Sequence, residues 1–271
     1  MIRSAVTIAL VPQIKTGPWI FWDDLEHSMS KAAELGFDAI ELFTASVHAV
    51  HSDTLEILLK RYNLKLAAVG TGAGKVIHGL TLTDHDSDIR QKAIVFIQEM
   101  MEFGAVFGAP SIIGSMQGNS TPGNTHSQSM ELLAEGLHIL DQHAASLGVK
   151  LIYEPLNRYE TNLINTLEDG AAFIEKYKFN NIRLLADLFH MNIEEDDPKE
   201  SIQKHIQHIG HVHFADSNRK PVGCGHAQMK EITDALITSG YDGYVSAEAF
   251  PWPDPDQAAL QTIRSFHQYF K

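Results

Sequence analysis

Four short segments decide the fold of this chain. They are KLIYE (150–154), RLLAD (183–187), GHVH (210–213) and YVSAE (244–248). Each is a run of strand-forming residues that closes on a side chain able to bind a metal, and these side chains are Glu154, Asp187, His213 and Glu248. Helical-looking stretches separate the runs. Because the carboxyl ends of parallel strands meet at one edge of an α/β sheet, we expect the four side chains to converge there.

The same alternation of strand and helix continues toward the N-terminus. Four further runs are rich in Val, Ile or Leu and are bounded by turn-forming residues, as buried parallel strands are: SAVTIAL (4–10), AIELF (39–43), KLAAVG (65–70) and SIIGS (111–115). In the helical segments, Gly36 has the position of a helix stop and Thr166 that of an N-cap. The pattern predicts an α/β protein, one (β/α)8 TIM barrel over residues 1–271, with an open α/β sheet as the alternative.

The overall composition excludes several classes of partner and location for this protein. Residues 1–271 contain 34 acidic and 21 basic side chains, and a net charge of −13 opposes binding to nucleic acid. Apolar runs fall well short of the roughly 20 residues that cross a bilayer, so no membrane segment is expected. The single cysteine, Cys224, excludes an intrachain disulfide and predicts a cytoplasmic protein. A small molecule is therefore the expected partner.

Bringing three carboxylates and one imidazole close together costs electrostatic free energy, and a bound divalent cation would offset that cost. Taken singly, each residue has a structural explanation: a charged residue that ends a strand usually reaches solvent, and Asp187 could be a helix N-cap. Four strands that end in the same way favour a metal. Three acids and one histidine suit Mn²⁺, Mg²⁺ or Co²⁺, and Zn²⁺ where positions stay open. GTGAG (70–74) lacks the Lys-Ser/Thr of a phosphate-binding P-loop.

Taken together, EPLNRYET, DLFHMNIEE, HVHFADSNR and SAEAF resemble the xylose-isomerase-like sugar isomerase/epimerase family, and most closely its ketose 3-epimerase branch. The resemblance implies a TIM barrel that binds one divalent metal, Mn²⁺ before Co²⁺, Mg²⁺ or Zn²⁺, and acts on a ketose or a keto sugar acid. It assigns the metal to Glu154, Asp187, His213 and Glu248. It also implies homo-oligomers, dimers or tetramers. The residues that it assigns to substrate binding are Glu160, His190 and Arg219.

The chemistry that the resemblance implies is epimerisation through an enediolate. Glu154 and Glu248 are expected to be the catalytic pair, one removing the proton next to the carbonyl and the other returning a proton from the opposite face. Arg219 and His190 would hydrogen-bond the carbonyl oxygen and share its developing charge. Phe250 has the same strand parity as Glu248, so it is expected beside that acid as an apolar substrate contact.

Three further segments point to one subgroup of the ketose 3-epimerase branch. They are VGTG (69–72), GLTLTD (79–84) and ADSNRKPVGCGH (215–226). They most resemble the 5-keto-L-gluconate (5-dehydro-L-gluconate) epimerases. The resemblance implies that the substrate pair is this keto acid and D-tagaturonate.

Three other functions remain open at the level of sequence. An aldose–ketose or hydroxypyruvate-type isomerase would share the barrel and the enediolate. A DNA-repair endonuclease of the AP-endonuclease type would need further metal ligands after earlier strands, where this chain has Gly70-Thr71 and Gly114-Ser115. A sugar-binding barrel without catalysis would have no use for four intact ligands.

Overall fold

The structure is a computed structural model that describes residues 1–14 and 16–271. Eight parallel strands close into a barrel, as predicted, because the first and last of them pair with each other. A two-residue strand, β2 (Phe21–Trp22), pairs with β1 above the point where its pairing with β9 stops. The barrel strands are β1 (Arg3–Leu10), β3 (Ala39–Thr44), β4 (Lys65–Gly70), β5 (Ser111–Ile113), β6 (Leu151–Tyr153), β7 (Ile182–Asp187), β8 (Ile209–His213) and β9 (Tyr244–Ala247).

Helices follow the strands and cover the barrel. They are α1 (Leu25–Leu35), α2 (Ser52–Tyr62), α3 (Ala73–His78), α4 (Ser87–Ala105), α5 (His126–Leu147), α6 (Leu167–Tyr177), α7 (Leu188–Glu194), α8 (Pro198–His205), α9 (Met229–Thr238) and α10 (Pro255–Phe270). Local sequence explains their ends. The Thr166 hydroxyl accepts from the Asp169 amide, and Gly36 ends α1 with a φ of 86°. None of the helices in the described ranges is long and apolar enough to cross a membrane.

Some element bounds differ from the prediction at the carboxyl face. The segment SIIGS leaves the strand at Ile113, because the backbone of Gly114 (φ −104°, ψ −101°) departs from the extended conformation. Two short helices were not anticipated. Helix α3 begins inside the GTGAG segment, and α7 begins directly after Asp187. Both lie in loops that follow strands, which is where a TIM barrel places its functional residues.

The side chains that fill the barrel lumen change from apolar to polar along the barrel axis. Small and aliphatic side chains fill the lower layers, among them Ala5, Ala39 and Ala67, and then Ala68, Ile112, Ile152 and Leu185. Near the carboxyl ends the inward positions carry Glu41, His211 and His213, all buried. Outward neighbours such as Leu42 and Val212 belong instead to the large apolar core beneath the helices. The polar layer therefore forms the floor of the carboxyl face.

Candidate active site

The four candidate ligands come together at the carboxyl face of the barrel. Asp187 and His213 are the last residues of β7 and β8, while Glu154 and Glu248 directly follow β6 and β9. Each offers one ligand atom, and these atoms all lie within 4.8 Å of one another. The Nδ1 atom of His213 lies 3.2 Å from Asp187 Oδ2, 3.4 Å from Glu154 Oε1 and 3.6 Å from Glu248 Oε2. Four neighbouring strands thus deliver one compact donor set.

Backbone and glycine geometry fix the orientation of two of these carboxylates. Asp187 Oδ1 accepts from the amides of Phe189 (2.7 Å) and His190 (3.2 Å), which caps α7 and leaves Oδ2 toward His213. Asp187 is therefore both a helix cap and a member of the cluster. A Cβ atom at Gly114 would lie 2.3 Å from Glu154 Oε2, so any other residue at that position would displace this carboxylate from where it now lies.

His190 lies beside the cluster with one nitrogen turned toward it. Its Nδ1 accepts from the backbone amide of Asn157 at 3.3 Å and contacts the side-chain amide of the same residue at 2.7 Å. The neutral ring therefore carries its proton on Nε2. That nitrogen is 3.8 Å from both Glu154 Oε1 and Asp187 Oδ2, is fully buried, and has no hydrogen-bond partner among the described residues. It is a donor available to a ligand.

Arg219 links the cluster to the rim of the cavity. Its Nη2 atom donates to Glu248 Oε2 at 2.7 Å, and its Nη1 atom lies 3.4 Å from Glu160 Oε1. The guanidinium also packs 4.9 Å from the centre of the Phe189 ring. Of the predicted substrate contacts, Glu160, His190 and Arg219 thus surround the four-residue cluster.

Phe250 has a different place from the one expected. Its side chain is 41% exposed, and among the described residues it does not line the cavity. The apolar wall is made by Trp19 and Phe43, whose rings stack with centroids 4.1 Å apart. Sequence reasoning missed both, because Trp19 lies in the irregular segment after β1 and Phe43 read as an ordinary strand residue.

The glycines of GTGAG (70–74) make room for this aromatic wall. A Cβ atom at Gly70 or Gly72 would lie 3.0 Å from the ring of Phe43, and one at Gly74 would lie 2.5 Å from Met116 Sδ. These contacts explain the glycines through packing, in agreement with the weak phosphate-binding signal of the segment.

Glu41 is the charged residue in the cavity floor that sequence reasoning overlooked. Its carboxylate contacts both strand-β8 histidines, at 2.7 Å from His211 Nε2 and 3.1 Å from His213 Nε2. His211 shares strand parity with His213, and its ring points into the lumen toward the Glu41 carboxylate. The available signal was a single acid in the middle of the apolar run AIELF, where an unpaired charge would be costly.

Burial and close charges shift the proton affinities of these groups. Burial raises the pKa of Glu154 to about 7, although the nearby His213 imidazole acts to lower it. Burial also opposes ionisation of Asp187 and Glu41, yet the neighbouring imidazoles hold both pKa values well below their usual range. The pKa of His213 is raised, since the carboxylates of Glu41 and Glu248 outweigh its desolvation.

The donor set fits a divalent cation. Three buried or half-buried carboxylates face one imidazole nitrogen, and Glu154 Oε1 has no hydrogen-bond partner within the described ranges. Oxygen and imidazole ligands of this kind suit Mn²⁺, Mg²⁺, Co²⁺ or Zn²⁺. Within residues 1–14 and 16–271, one other group has ligand atoms close enough together to hold a metal ion. It consists of Glu41, His211 and His213, and it shares His213 with the four-residue cluster.

Comparison with known proteins gives a consistent result over nearly the whole chain. The family described as the xylose isomerase-like TIM barrel matches residues 29–266. D-psicose 3-epimerase of Ruminiclostridium cellulolyticum is 32% identical over 239 residues, covering 84% of this chain and 80% of that one. The 3-dehydro-D-guloside 4-epimerase of Escherichia coli is 34% identical over 134 residues, covering 49% and 51% of the two chains.

A solved structure repeats the fold. The structure of D-psicose 3-epimerase with D-tagatose from Clostridium cellulolyticum superimposes with a TM-score of 0.80 at 25% sequence identity, covering 98% of each chain. The relatives named here are epimerases, which are isomerases of carbohydrates.

Proposed function

This chain belongs to the xylose isomerase-like TIM barrel family, and on that premise we propose that it is a metal-dependent epimerase of a ketose or a keto sugar acid. The observation that carries the proposal is the cluster itself. Two glutamates, an aspartate and a histidine place one ligand atom each within 4.8 Å of the others, at the face where TIM barrels hold their active sites.

We propose that Glu154, Asp187, His213 and Glu248 hold the cation, and that Mn²⁺ is the favoured ion. When bound there, a divalent cation would polarise the substrate carbonyl and so make the neighbouring C–H more acidic. The support for this assignment is the chemistry of the donor set and the unpartnered Glu154 Oε1 atom.

Glu154 and Glu248 are the proposed acid–base pair. They follow β6 and β9, which are three strands apart in a barrel of eight, so their carboxylates approach the cavity from different sides. One removes the proton from the carbon next to the carbonyl, and the other delivers a proton to the opposite face of the same carbon. Opposite-face delivery inverts the carbon, which is epimerisation.

Three neighbours of this pair would bind and orient the substrate. His190 Nε2 and the Arg219 guanidinium are donors aimed at the space beside the glutamates, where they would stabilise negative charge on the carbonyl oxygen. The half-exposed carboxylate of Glu160 would accept a hydrogen bond from a substrate hydroxyl. Trp19 and Phe43 would cover the apolar edge of the sugar.

For the substrate class, we propose a keto sugar acid, with 5-keto-L-gluconate and D-tagaturonate as the pair. Besides the segments that resemble this subgroup, cationic side chains lie at the active face. Half-buried Lys75 interacts electrostatically with Glu160, and the Lys220 ammonium lies 3.9 Å from the centre of the Trp252 ring. Such cations would favour a substrate carboxylate.

An NMR assay of the Mn²⁺-loaded protein in D2O tests the proposal. Tagaturonate, neutral ketoses and ketose phosphates would be compared. We expect deuterium at the carbon next to the carbonyl together with inversion of that carbon, fastest with the keto acid. Removal of the metal with a chelator should stop exchange, and Mn²⁺ or Co²⁺ should restore it.

Each alternative has its own signature in this assay. Deuterium transferred to the adjacent carbon, with an aldose as product, would identify an isomerase instead. Full activity in protein shown to be metal-free would contradict the proposed cation. A bound metal without exchange on the whole panel would favour a sugar-binding barrel, and faster exchange with a neutral ketose would reject the substrate class alone.

A further inference from the structure

Glu41 joins two imidazoles through its two carboxylate oxygens. Oε2 lies 2.7 Å from His211 Nε2, and Oε1 lies 3.1 Å from His213 Nε2. Glu41 is 5% exposed and both histidines are 1% exposed, so water does not compete for these contacts. The three side chains form a closed polar group beneath the cluster described above.

The group reaches across the lumen of the barrel. Glu41 lies in the middle of β3, whereas both histidines lie on β8, and β9 and β1 separate these strands around the barrel. An anion so deeply buried requires donors, and the two imidazole N–H groups supply them. Because each carboxylate oxygen of Glu41 is hydrogen-bonded to a different imidazole ring, the carboxylate is held in a single orientation.

These contacts determine which nitrogen of the neutral His213 ring carries the proton. Since a carboxylate oxygen accepts, Nε2 of His213 donates its proton to Glu41. In the neutral ring, which is the form that binds a metal, the lone pair is then on Nδ1, the nitrogen that faces Asp187, Glu154 and Glu248 at 3.2, 3.4 and 3.6 Å. Histidines that bind metals commonly donate their second nitrogen to a carboxylate, which fixes the ring and strengthens the ligand.

We propose that Glu41 is a positioning residue which, braced by His211, holds His213 with Nδ1 directed at the three carboxylates and thereby sets the affinity of the site for a divalent cation. The inference rests on the proposed function, because it presupposes a cation in the cluster. It assigns a role to Glu41, which lies across the barrel from His213 and acts through that histidine without contacting the cation or the substrate.

Metal affinity in matched variants is the first test. Glu41→Gln keeps the size of the side chain and removes its charge, and we expect it to raise the Mn²⁺ dissociation constant about 10- to 100-fold. His211→Gln, which removes the brace, should act in the same direction with a smaller change. Binding would be measured by competition with a fluorescent chelator, using full-length protein whose fold is checked by thermal unfolding.

Asp141→Asn is the matched control. Asp141 is a buried carboxylate on α5 that accepts from the Asn181 amide at 2.7 Å, outside the candidate site. We expect this variant to lose stability without a change in the Mn²⁺ dissociation constant. A merely structural role for Glu41 would make Glu41→Gln behave in the same way.

The protonation pattern of His213 is the second test, and it needs no variant of Glu41. ¹⁵N NMR of metal-free protein with labelled histidine, assigned by signals lost in His213→Gln, should show the proton of the neutral ring on Nε2. The spectra would be recorded at a pH high enough to make the ring neutral, and a neutral ring with its proton on Nδ1 would overturn the inference, as would unchanged Mn²⁺ affinity in Glu41→Gln. Binding of two Mn²⁺ ions by the wild type and one by Glu41→Gln would also overturn it, in favour of a second cation site.

Failure of the proposed function has a separate signature. Wild-type protein that binds no divalent cation would remove the proposed function and the affinity claim together. Normal binding by both wild type and Glu41→Gln would remove this inference alone.

Discussion

The two halves of the barrel present different surfaces to the cavity. The half built from β6 to β9 supplies charged and hydrogen-bonding groups, which are Glu154, Asp187, His190, His213, Arg219 and Glu248. The half built from β1 to β5 supplies aromatic rings and glycines, which are Trp19, Phe43, Gly70, Gly72 and Gly114, with Glu41 as its charged member in the floor.

This division follows from electrostatics. The carboxylates of the charged half are tolerable because each has a cationic or imidazole neighbour within 4 Å. Aromatic rings packed among them would remove such neighbours and leave the buried acids without compensating charge. Under the proposed function, the charged half carries the reacting groups and the polar substrate contacts, while the aromatic half shapes the apolar side of the cavity. Variants in the two halves should therefore fail in different ways.

The largest effect is expected from the two glutamates of the charged half. Glu154→Gln and Glu248→Gln should each lower kcat by about 10²- to 10⁴-fold, because each removes one proton-transferring group. Deuterium exchange at the carbon next to the carbonyl, measured on the best substrate of the panel, would report the loss.

An acid outside the site provides the control for this pair. Glu131→Gln, on the exposed surface of α5, removes the same charge and should leave kcat unchanged. Near-normal exchange in either Glu154→Gln or Glu248→Gln would reject the two-base scheme. It would also contradict the proposal that the charged half supplies the proton-transferring groups.

A smaller effect, on binding and not on chemistry, is expected in the aromatic half. Trp19→Leu should raise KM by about tenfold with a modest change in kcat, since part of an apolar contact is lost. Steady-state kinetics would separate the two parameters. Phe107→Leu is the matched aromatic variant, because Phe107 packs against Phe103 after the end of α4 and lies outside the described lining of the cavity. Equal effects from both variants, or a loss of kcat in Trp19→Leu, would contradict the division.

An effect on stability, with the least consequence for catalysis, is expected at the loop that carries Arg219. The Asp216 carboxylate is buried and accepts from the amides of Ser217, Gly223 and Ala227 at 2.7 to 3.1 Å. Asp216→Asn should lower the free energy of unfolding by about 1–3 kcal/mol at pH 7, as loss of hydrogen bonds to a charged group does. Urea unfolding would measure it.

The pH dependence of this difference has a definite sign. Burial opposes ionisation of Asp216, but the backbone amides hold its pKa below the usual value. The stabilisation is therefore fully present above the unfolded value of about 4 and declines as the pH falls through the lower folded value. Wild type and Asp216→Asn should converge in stability as the pH falls below about 4. A difference that grows in acid would contradict this explanation.

The strands that bear ligands could be predicted from sequence because their signal is local. Each short apolar run closes on a candidate ligand, and parallel strands in a barrel must bring such ends together, so Glu154, Asp187, His213 and Glu248 could be grouped without coordinates. Thr166 could be recognised as an N-cap in the same way, from residue type and position.

What remained unpredictable depends on contacts between distant segments. Glu41 acquires its partners across the lumen, 170 and 172 positions along the chain, so an isolated acid in AIELF did not reveal which donors face it. Trp19 lines the cavity through an irregular segment, for which periodicity makes no prediction. Phe250 has the parity of Glu248 in sequence, but β9 ends at Ala247, and beyond that point alternation no longer orients a side chain.

Gly114 shows that a missing side chain can be as necessary as a ligand. The methyl group of alanine would stand where the Glu154 carboxylate now lies, 2.3 Å from Oε2. A glycine codon becomes an alanine codon by one nucleotide change, so a single base substitution is enough to displace this carboxylate while every acid and histidine of the cluster is retained.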